Sequence, residues 1–217
     1  GKTTLLATLA GLLEPKGGEL TLDGTAPWAA QRSDVARRIT LTAEDAHVFA
    51  TTVLENLRVA NGTLSSQDAR ALLRRAGLGD WLTGLPQGLD TLLSSDATTL
   101  SGGERRRLLL ARALAAPAPL MLLDEPGEHL EAATADRLVA DLLQAGNGAE
   151  DAEEAEETAR GVLLVTHRLS ALESADEVLV LGIPEPGEPA TIVRRGTHTR
   201  LSAQDASYRW SLEHEHG

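Results

Sequence analysis

Apolar positions recur along the chain in two rhythms, short continuous runs and helically spaced stretches. Leu120-Met121-Leu122-Leu123 lies between Pro119 and the acidic pair Asp124-Glu125, and Val162-Leu163-Leu164-Val165 is a similar run. Such runs predict strands buried on both faces, as in a parallel sheet. Residues 38–42 predict another short strand, and residues 177–181 a third buried one. Glu19-Leu20-Thr21-Leu22-Asp23-Gly24 alternates after Gly17-Gly18 and predicts a strand as well. Helical patterning covers residues 3–13, 53–59, 66–76, 103–116 and 130–143. Glu14-Pro15 is read as the stop of the first helix, and Pro117 and Pro119 as the stop of the fourth. Strands alternating with helices predict an α/β fold with a parallel sheet, whose ligands lie beyond the carboxyl ends of the strands. Asp124-Glu125 and Thr166-His167 occupy that position.

Composition narrows the class. The hydrophobic share is 42% in 217 residues, and no window approaches 18 consecutive apolar residues, so no bilayer-spanning helix is expected. Gly1-Lys2-Thr3-Thr4 has no apolar leader behind it, so no signal peptide is expected. The absence of cysteine excludes disulfides and thiolate-bound metal and fits a cytosolic location. A net charge of −12 argues against nucleic acid as a partner. Half of that charge comes from Glu150, Asp151, Glu153, Glu154, Glu156 and Glu157. This tract reads as a solvated loop, with a partner contact as the alternative.

Four places carry chemistry. Gly1-Lys2-Thr3-Thr4 opens a helix and matches the end of the phosphate-loop pattern: first-turn amides attract phosphate, Lys2 neutralises charge, and the Thr3 hydroxyl can ligate Mg²⁺. By itself it is equally well an ordinary helix start. Leu100-Ser101-Gly102-Gly103-Glu104 opens the longest helix with amides and a hydroxyl at its positive end, the alternative being a flexible N-cap with two glycines. Asp124 and Glu125 are adjacent carboxylates at the end of a buried strand, which suits a bound Mg²⁺ and an attacking water, or otherwise a cap for the next helix. His167 at another strand end is, alone, more often packing or capping than catalysis.

The order Gly-Lys-Thr, Leu-Ser-Gly-Gly-Glu, apolar run with Asp-Glu-Pro, then Thr-His-Arg resembles the ABC ATPase family over essentially the whole chain. The resemblance implies an α/β P-loop NTPase core with a parallel sheet plus a helical signature subdomain, truncated at its N-terminus. Residues 1–50 and 117–217 would form the RecA-like ATP-binding core, which starts inside the Walker A loop. Residues 51–116 would form the helical subdomain with the signature motif, and 146–160 an acidic loop insertion. Gly1, Lys2, Thr3 and Thr4 would be the Walker A remnant. Ser101, Gly102, Gly103 and Glu104 would be the signature, Asp124 the Walker B aspartate, Glu125 the general base and His167 the switch histidine. The implied cofactors are ATP and Mg²⁺, the metal residues being Thr3, Glu44 and Asp124. In this family two ATPase domains meet head to tail, and the signature of one closes over ATP held by the other.

Finer motifs look like exporters: Phe49, Thr52 and Glu55-Asn56-Leu57, then Leu85-Pro86-Gln87-Gly88-Leu89-Asp90-Thr91, and Arg195-Gly196-Thr197-His198 with Leu201 and Tyr208. Within exporters, the stretches around Ala43-Glu44-Asp45 and Asp124-Glu125-Pro126-Gly127-Glu128-His129-Leu130 resemble CydC-type halves of heterodimeric cysteine and glutathione exporters, which serve cytochrome bd assembly. Expected partners are therefore a second, different ATPase half and a transmembrane domain upstream on the same chain, at the cytoplasmic face of the membrane. Departures stand beside the likeness. Glu44 replaces the Q-loop glutamine, Glu128-His129-Leu130-Glu131 replaces the usual D-loop Ser-Ala-Leu-Asp, and Ser94 to Thr99 lacks the exporter glycines. The connection at residues 146–160 is longer than usual. With most of the phosphate loop upstream of Gly1, the fragment by itself is expected to bind ATP poorly or not at all.

Overall fold

Gly1 precedes the first helix, α1 (Lys2–Leu9), with no side chain capping its first turn. The helix stops well before Pro15. Gly11 adopts φ +67°, its N–H donates to the Thr8 carbonyl, and Leu12 N–H donates to the Ala7 carbonyl. This is the left-handed glycine cap that satisfies the last carbonyls of a helix. A Cβ at Gly11 would lie 2.6 Å from the Pro27 carbonyl carbon, so only glycine fits. The expected strand at residues 19–24 is absent. Asp23 and Gly24 both take positive φ, and a single bridge pairs Leu22 with Thr25, so the Asp-Gly pair closes a tight turn instead.

The computed structural model describes residues 1–42, 46–93, 100–128, 130–144, 160–184 and 188–215. Helix α2 (Arg32–Arg38) leads into β1 (Ile39–Thr42). With β2 (Leu120–Asp124) and β3 (Gly161–Val165) this strand forms a parallel sheet in the order β1-β2-β3. Leu122 faces Leu6, Val35, Ile39 and Val165, whereas Met121 and Leu123 face the larger core on the other side. Burial on both faces is what the unbroken apolar run requires. The strand at the end of the expected series is β4 (Val178–Gly182), but it pairs antiparallel with β5 (Thr191–Gly196) and not with the parallel sheet. Leu179 in β4 is 40% exposed, so this strand has one wet face, and Arg195 of β5 grips Glu177 through two bonds of 2.9 and 2.8 Å.

The larger core is helical. Helices α3 (Val53–Arg58), α4 (Ser66–Arg75) and α5 (Gly79–Gly84) pack with α6 (Gly102–Ala115), which buries Leu108, Leu109, Leu110 and Leu114. Thr52 and Ser65 cap α3 and α4 by accepting the Glu55 and Asp68 amides. Arg168 joins the end of the β3 connection to α7 (Ala132–Gln144), bonding Asp136 at 2.9 Å and the Ala132 carbonyl at 3.2 Å.

Helices α8 (His198–Gln204) and α9 (Ala206–Glu213) close the chain over a third cluster with Val139, Leu172, Val178, Leu201 and Tyr208. The Tyr208 hydroxyl lies 3.0 Å from His198 Nδ1. Burial, with the Glu215 carboxylate adding to it, pushes the Tyr208 hydroxyl up to about 12. A proton held more tightly in the folded chain stabilises the fold below the ordinary tyrosine value near 10. That contribution is lost as pH rises from about 10 towards 12. A difference absorbance titration against Tyr208→Phe is expected to show a midpoint near 12; a midpoint at the ordinary value contradicts the packing of α9.

Candidate nucleotide site

The end of β2 delivers Asp124 and Glu125 to one edge of the sheet, and the end of β3 delivers Thr166 and His167 beside them. Glu125 has φ +46°, a left-handed conformation that costs a residue with a side chain about 1–2 kcal/mol. Its N–H is held by the Val165 carbonyl at 2.9 Å. Such local strain clusters at functional sites, and here it turns the carboxylate out of the strand direction.

Glu125 is the point of convergence. Lys2 Nζ donates to Oε1 at 3.2 Å, while His167 Nδ1 lies 3.0 Å from Oε2 and His167 N–H donates to the same oxygen at 3.3 Å. The Glu125 side chain is 19% exposed, against 46% for Lys2 and 60% for His167. The carboxylate is thus nested, and the two side chains that bond it face outward. The Nδ1 contact calls for a proton on that nitrogen, leaving Nε2 as the ring atom available to another group.

Gly1, Lys2, Thr3 and Thr4 are all exposed at the start of α1. No acidic residue stands in that first turn, so its amides, the Lys2 ammonium and the Thr3 hydroxyl form a donor set suited to phosphate. Asp124 and Thr3 suit a hard cation that keeps phosphate and water oxygens in its shell. Among the described residues no cluster of three or more His, Cys, Asp or Glu would hold a metal without such oxygens.

The second phosphate-type element is built differently. Ser101 accepts the Glu104 N–H at 3.2 Å, and Glu104 accepts the Ser101 N–H at 2.7 Å, a reciprocal capping box. The Ser101 hydroxyl is therefore partly engaged as a cap. Neither Gly102 nor Gly103 has a positive φ, and a Cβ at Gly102 would meet nothing within 4 Å. Internal packing gives no reason for glycine there. Ser101 and Glu104 bond one another, whereas Lys2, Glu125 and His167 bond one another, so the chain's own contacts form two groups.

Ion pairs that sequence reasoning missed brace this edge. Arg106 Nη1 bonds Glu128 at 2.8 Å, tying α6 to the turn after β2, and Arg168 bonds α7. The signal was present as arginines interrupting otherwise buried helix α6, but their partners lie far along the chain. Glu44, residues 94–99, His129 and the acidic tract lie outside the described residues. A cavity of about 840 Å³ opens between β3 and β4, with Lys2 and His167 at its rim and Leu5, Leu163, Val178 and Val180 among its lining.

A parallel sheet with strand-end carboxylates, a phosphate-facing helix start and helices on both faces is the architecture of a P-loop nucleotide-binding domain. The ABC transporter family model matches residues 1–128, and the chain belongs to that family. Over 209 residues it is 32% identical to the glutathione/L-cysteine transport system ATP-binding/permease protein CydD of Bacillus subtilis (strain 168), covering 96% of this chain and 33% of that one. It is 33% identical to the ATP-dependent lipid A-core flippase of Photobacterium profundum, with the same two coverages. A solved bacterial Atm1-family ABC exporter with ATP bound superposes with a TM-score of 0.80 at 24% identity, over 100% of this chain and 35% of that one, which establishes the fold. The chain spans about a third of the length of the curated relatives it matches.

Proposed function

We propose that this chain is the ATP-binding and ATP-hydrolysing domain of an ABC exporter half, acting with a second ATPase domain. The observation that carries this reading is the convergence of Lys2 and His167 on the nested Glu125 carboxylate at the strand ends. Gly1, Lys2, Thr3 and Thr4 would hold the phosphates, while Thr3, Asp124 and Glu44 would hold Mg²⁺. Bound Mg-ATP supplies the phosphoanhydride that is cleaved. Lys2 leaves Glu125 for phosphate, which frees a carboxylate oxygen to take the proton of the attacking water. His167 turns its ring from Glu125 to the terminal phosphate and donates to it from its ring N–H. Residues 1–50 and 117–217 are the ATP-binding core, residues 51–116 the helical subdomain and residues 146–160 a solvated acidic insertion.

The motifs around Glu44 and Asp124 favour thiols of the cysteine and glutathione type as cargo, exported for cytochrome bd assembly by a CydC-like half beside a different partner half. The similar identity to lipid A-core flippases supports a second reading, with a lipid as cargo. The transmembrane domain lies on the same natural chain, and the ATPase domain sits at the cytoplasmic face of the membrane. No described helix is long and apolar enough to cross one. The test uses inside-out vesicles holding the full-length protein and its partner half. ATP-dependent uptake of labelled cysteine or glutathione is expected; uptake of neither, with ATP-dependent movement of a labelled lipid, overturns the thiol reading in favour of the flippase.

A further inference from the structure

Asn56 on α3 is completely buried, and every polar atom of its side chain is used. Its Nδ2 donates to the carbonyls of Phe49 at 3.0 Å and Thr52 at 3.1 Å, and its Oδ1 accepts the Phe49 N–H at 3.0 Å. Arg112 of α6 reaches the same residue from 56 positions away: Nη2 donates to Asn56 Oδ1 at 2.6 Å and Nε to the Asn56 carbonyl at 2.8 Å. The remaining guanidinium nitrogen donates to the His47 carbonyl at 2.6 Å, and the group sits 5.4 Å from the Phe49 ring centre. Two helical turns earlier on the same face, Arg105 donates to the Ala46 carbonyl at 2.7 Å.

We infer that Arg112 and Asn56 form a positioning clamp that makes residues 46–49 travel as one body with α6, and so with Ser101 at its start. Apolar contacts already hold α6: Leu108, Leu109, Leu110 and Leu114 are all buried. A half-buried guanidinium and a buried carboxamide cost desolvation that leucine contacts do not, so the hub specifies a geometry more than it adds stability. Burial, with the neighbouring Arg105 charge, holds the Arg112 guanidinium below the ordinary arginine value. The geometry being fixed is functional. Residues 46–49 follow β1, which pairs with the strand carrying Asp124 and Glu125, whereas α6 carries Ser101, Gly102 and Gly103. The clamp therefore sets the spacing between the hydrolysis edge and the signature end. Its planar fork serves three acceptors at once, and a lysine ammonium cannot reproduce that.

This inference rests on the ATPase reading above. Spin labels are placed at Ala50→Cys and Gln67→Cys, both exposed positions, in the full-length protein with its partner half, each with any cysteine outside these 217 residues replaced by serine. In the protein with native Arg112 a single narrow distance distribution is expected without ATP. In Arg112→Lys it broadens, kcat falls about tenfold per folded molecule and KM for ATP stays within about twofold. Arg105→Gln, which removes the bond to the Ala46 carbonyl at a partly exposed position, gives the same pattern at smaller size and stands in should Arg112→Lys not fold. An unchanged distribution overturns the clamp, as does a broadened one with unchanged kcat, or a loss of activity explained wholly by loss of folded protein. The distances are read without nucleotide. Absence of ATP turnover with native Arg112 therefore contradicts the proposed function and leaves the distance result to decide the clamp.

Discussion

Replacing Glu125 by glutamine slows ATP hydrolysis in the full-length protein with its partner half by a factor of about 10² to 10⁴ while ATP still binds. Glutamine keeps the size of the side chain and an oxygen for Lys2, so the nest between Lys2 and His167 is nearly preserved in shape. It has no basicity with which to take a proton from water, and with its oxygen on Lys2 its amide nitrogen cannot accept from His167 Nδ1. The left-handed backbone at Glu125 is no more costly for glutamine than for glutamate, so the fold tolerates the change. Phosphate release under saturating Mg-ATP is the measurement. Turnover within a few-fold of the protein with native Glu125 assigns proton transfer elsewhere and favours a regulatory half that binds ATP without hydrolysing it.

The parts of this site that were legible in the sequence are those set by local physics. The β2 strand could be read because Leu120 to Leu123 is apolar at every position and ends in two carboxylates, and both of its faces are indeed buried. The boundaries of α6 fall within one residue of expectation, because Ser101 with Glu104 caps one end and Pro117 blocks the other. The misreadings also have local causes. Gly11 ends α1 through a left-handed cap before Pro15 is reached, and Asp23-Gly24 makes a tight turn out of an alternating pattern. What could not be read is pairing over distance. Lys2 meets Glu125 across 123 positions, and Arg112 meets Asn56 across 56. The choice of β5 over β3 as the neighbour of β4 is likewise tertiary.

Substituting Ser101 by arginine abolishes ATP-driven closure between the two ATPase domains, while ATP binding at this chain's own Lys2 loop survives. The two groups of contacts already described motivate this. The Lys2 loop has its own phosphate donors, whereas the amides of Gly102 and Gly103 stand at a helix start with no internal need for glycine. A long cation at Ser101 fills the approach that a partner's nucleotide requires. Loss of the capping box costs about 1 kcal/mol, too little to unfold a helix that buries seven residues. Ser101→Thr retains the cap and is expected to retain closure. A distance probe between the two domains, read with and without ATP, decides the matter. Closure that persists in Ser101→Arg shows that the signature does not act across an interface. Closure by this half without its counterpart points to a homodimer and against the CydC-like reading.

The central claim, that Glu125 works as the base on nucleotide held by Lys2, is tested most directly by the chemical identity of nucleotide retained on washed Glu125→Gln protein. Full-length protein and partner half are incubated with Mg-ATP, passed through a desalting column and acid-quenched, and the nucleotide is separated. Uncleaved ATP is expected on the Glu125→Gln protein, against ADP with native Glu125. ADP on both, formed at the same rate, contradicts the claim.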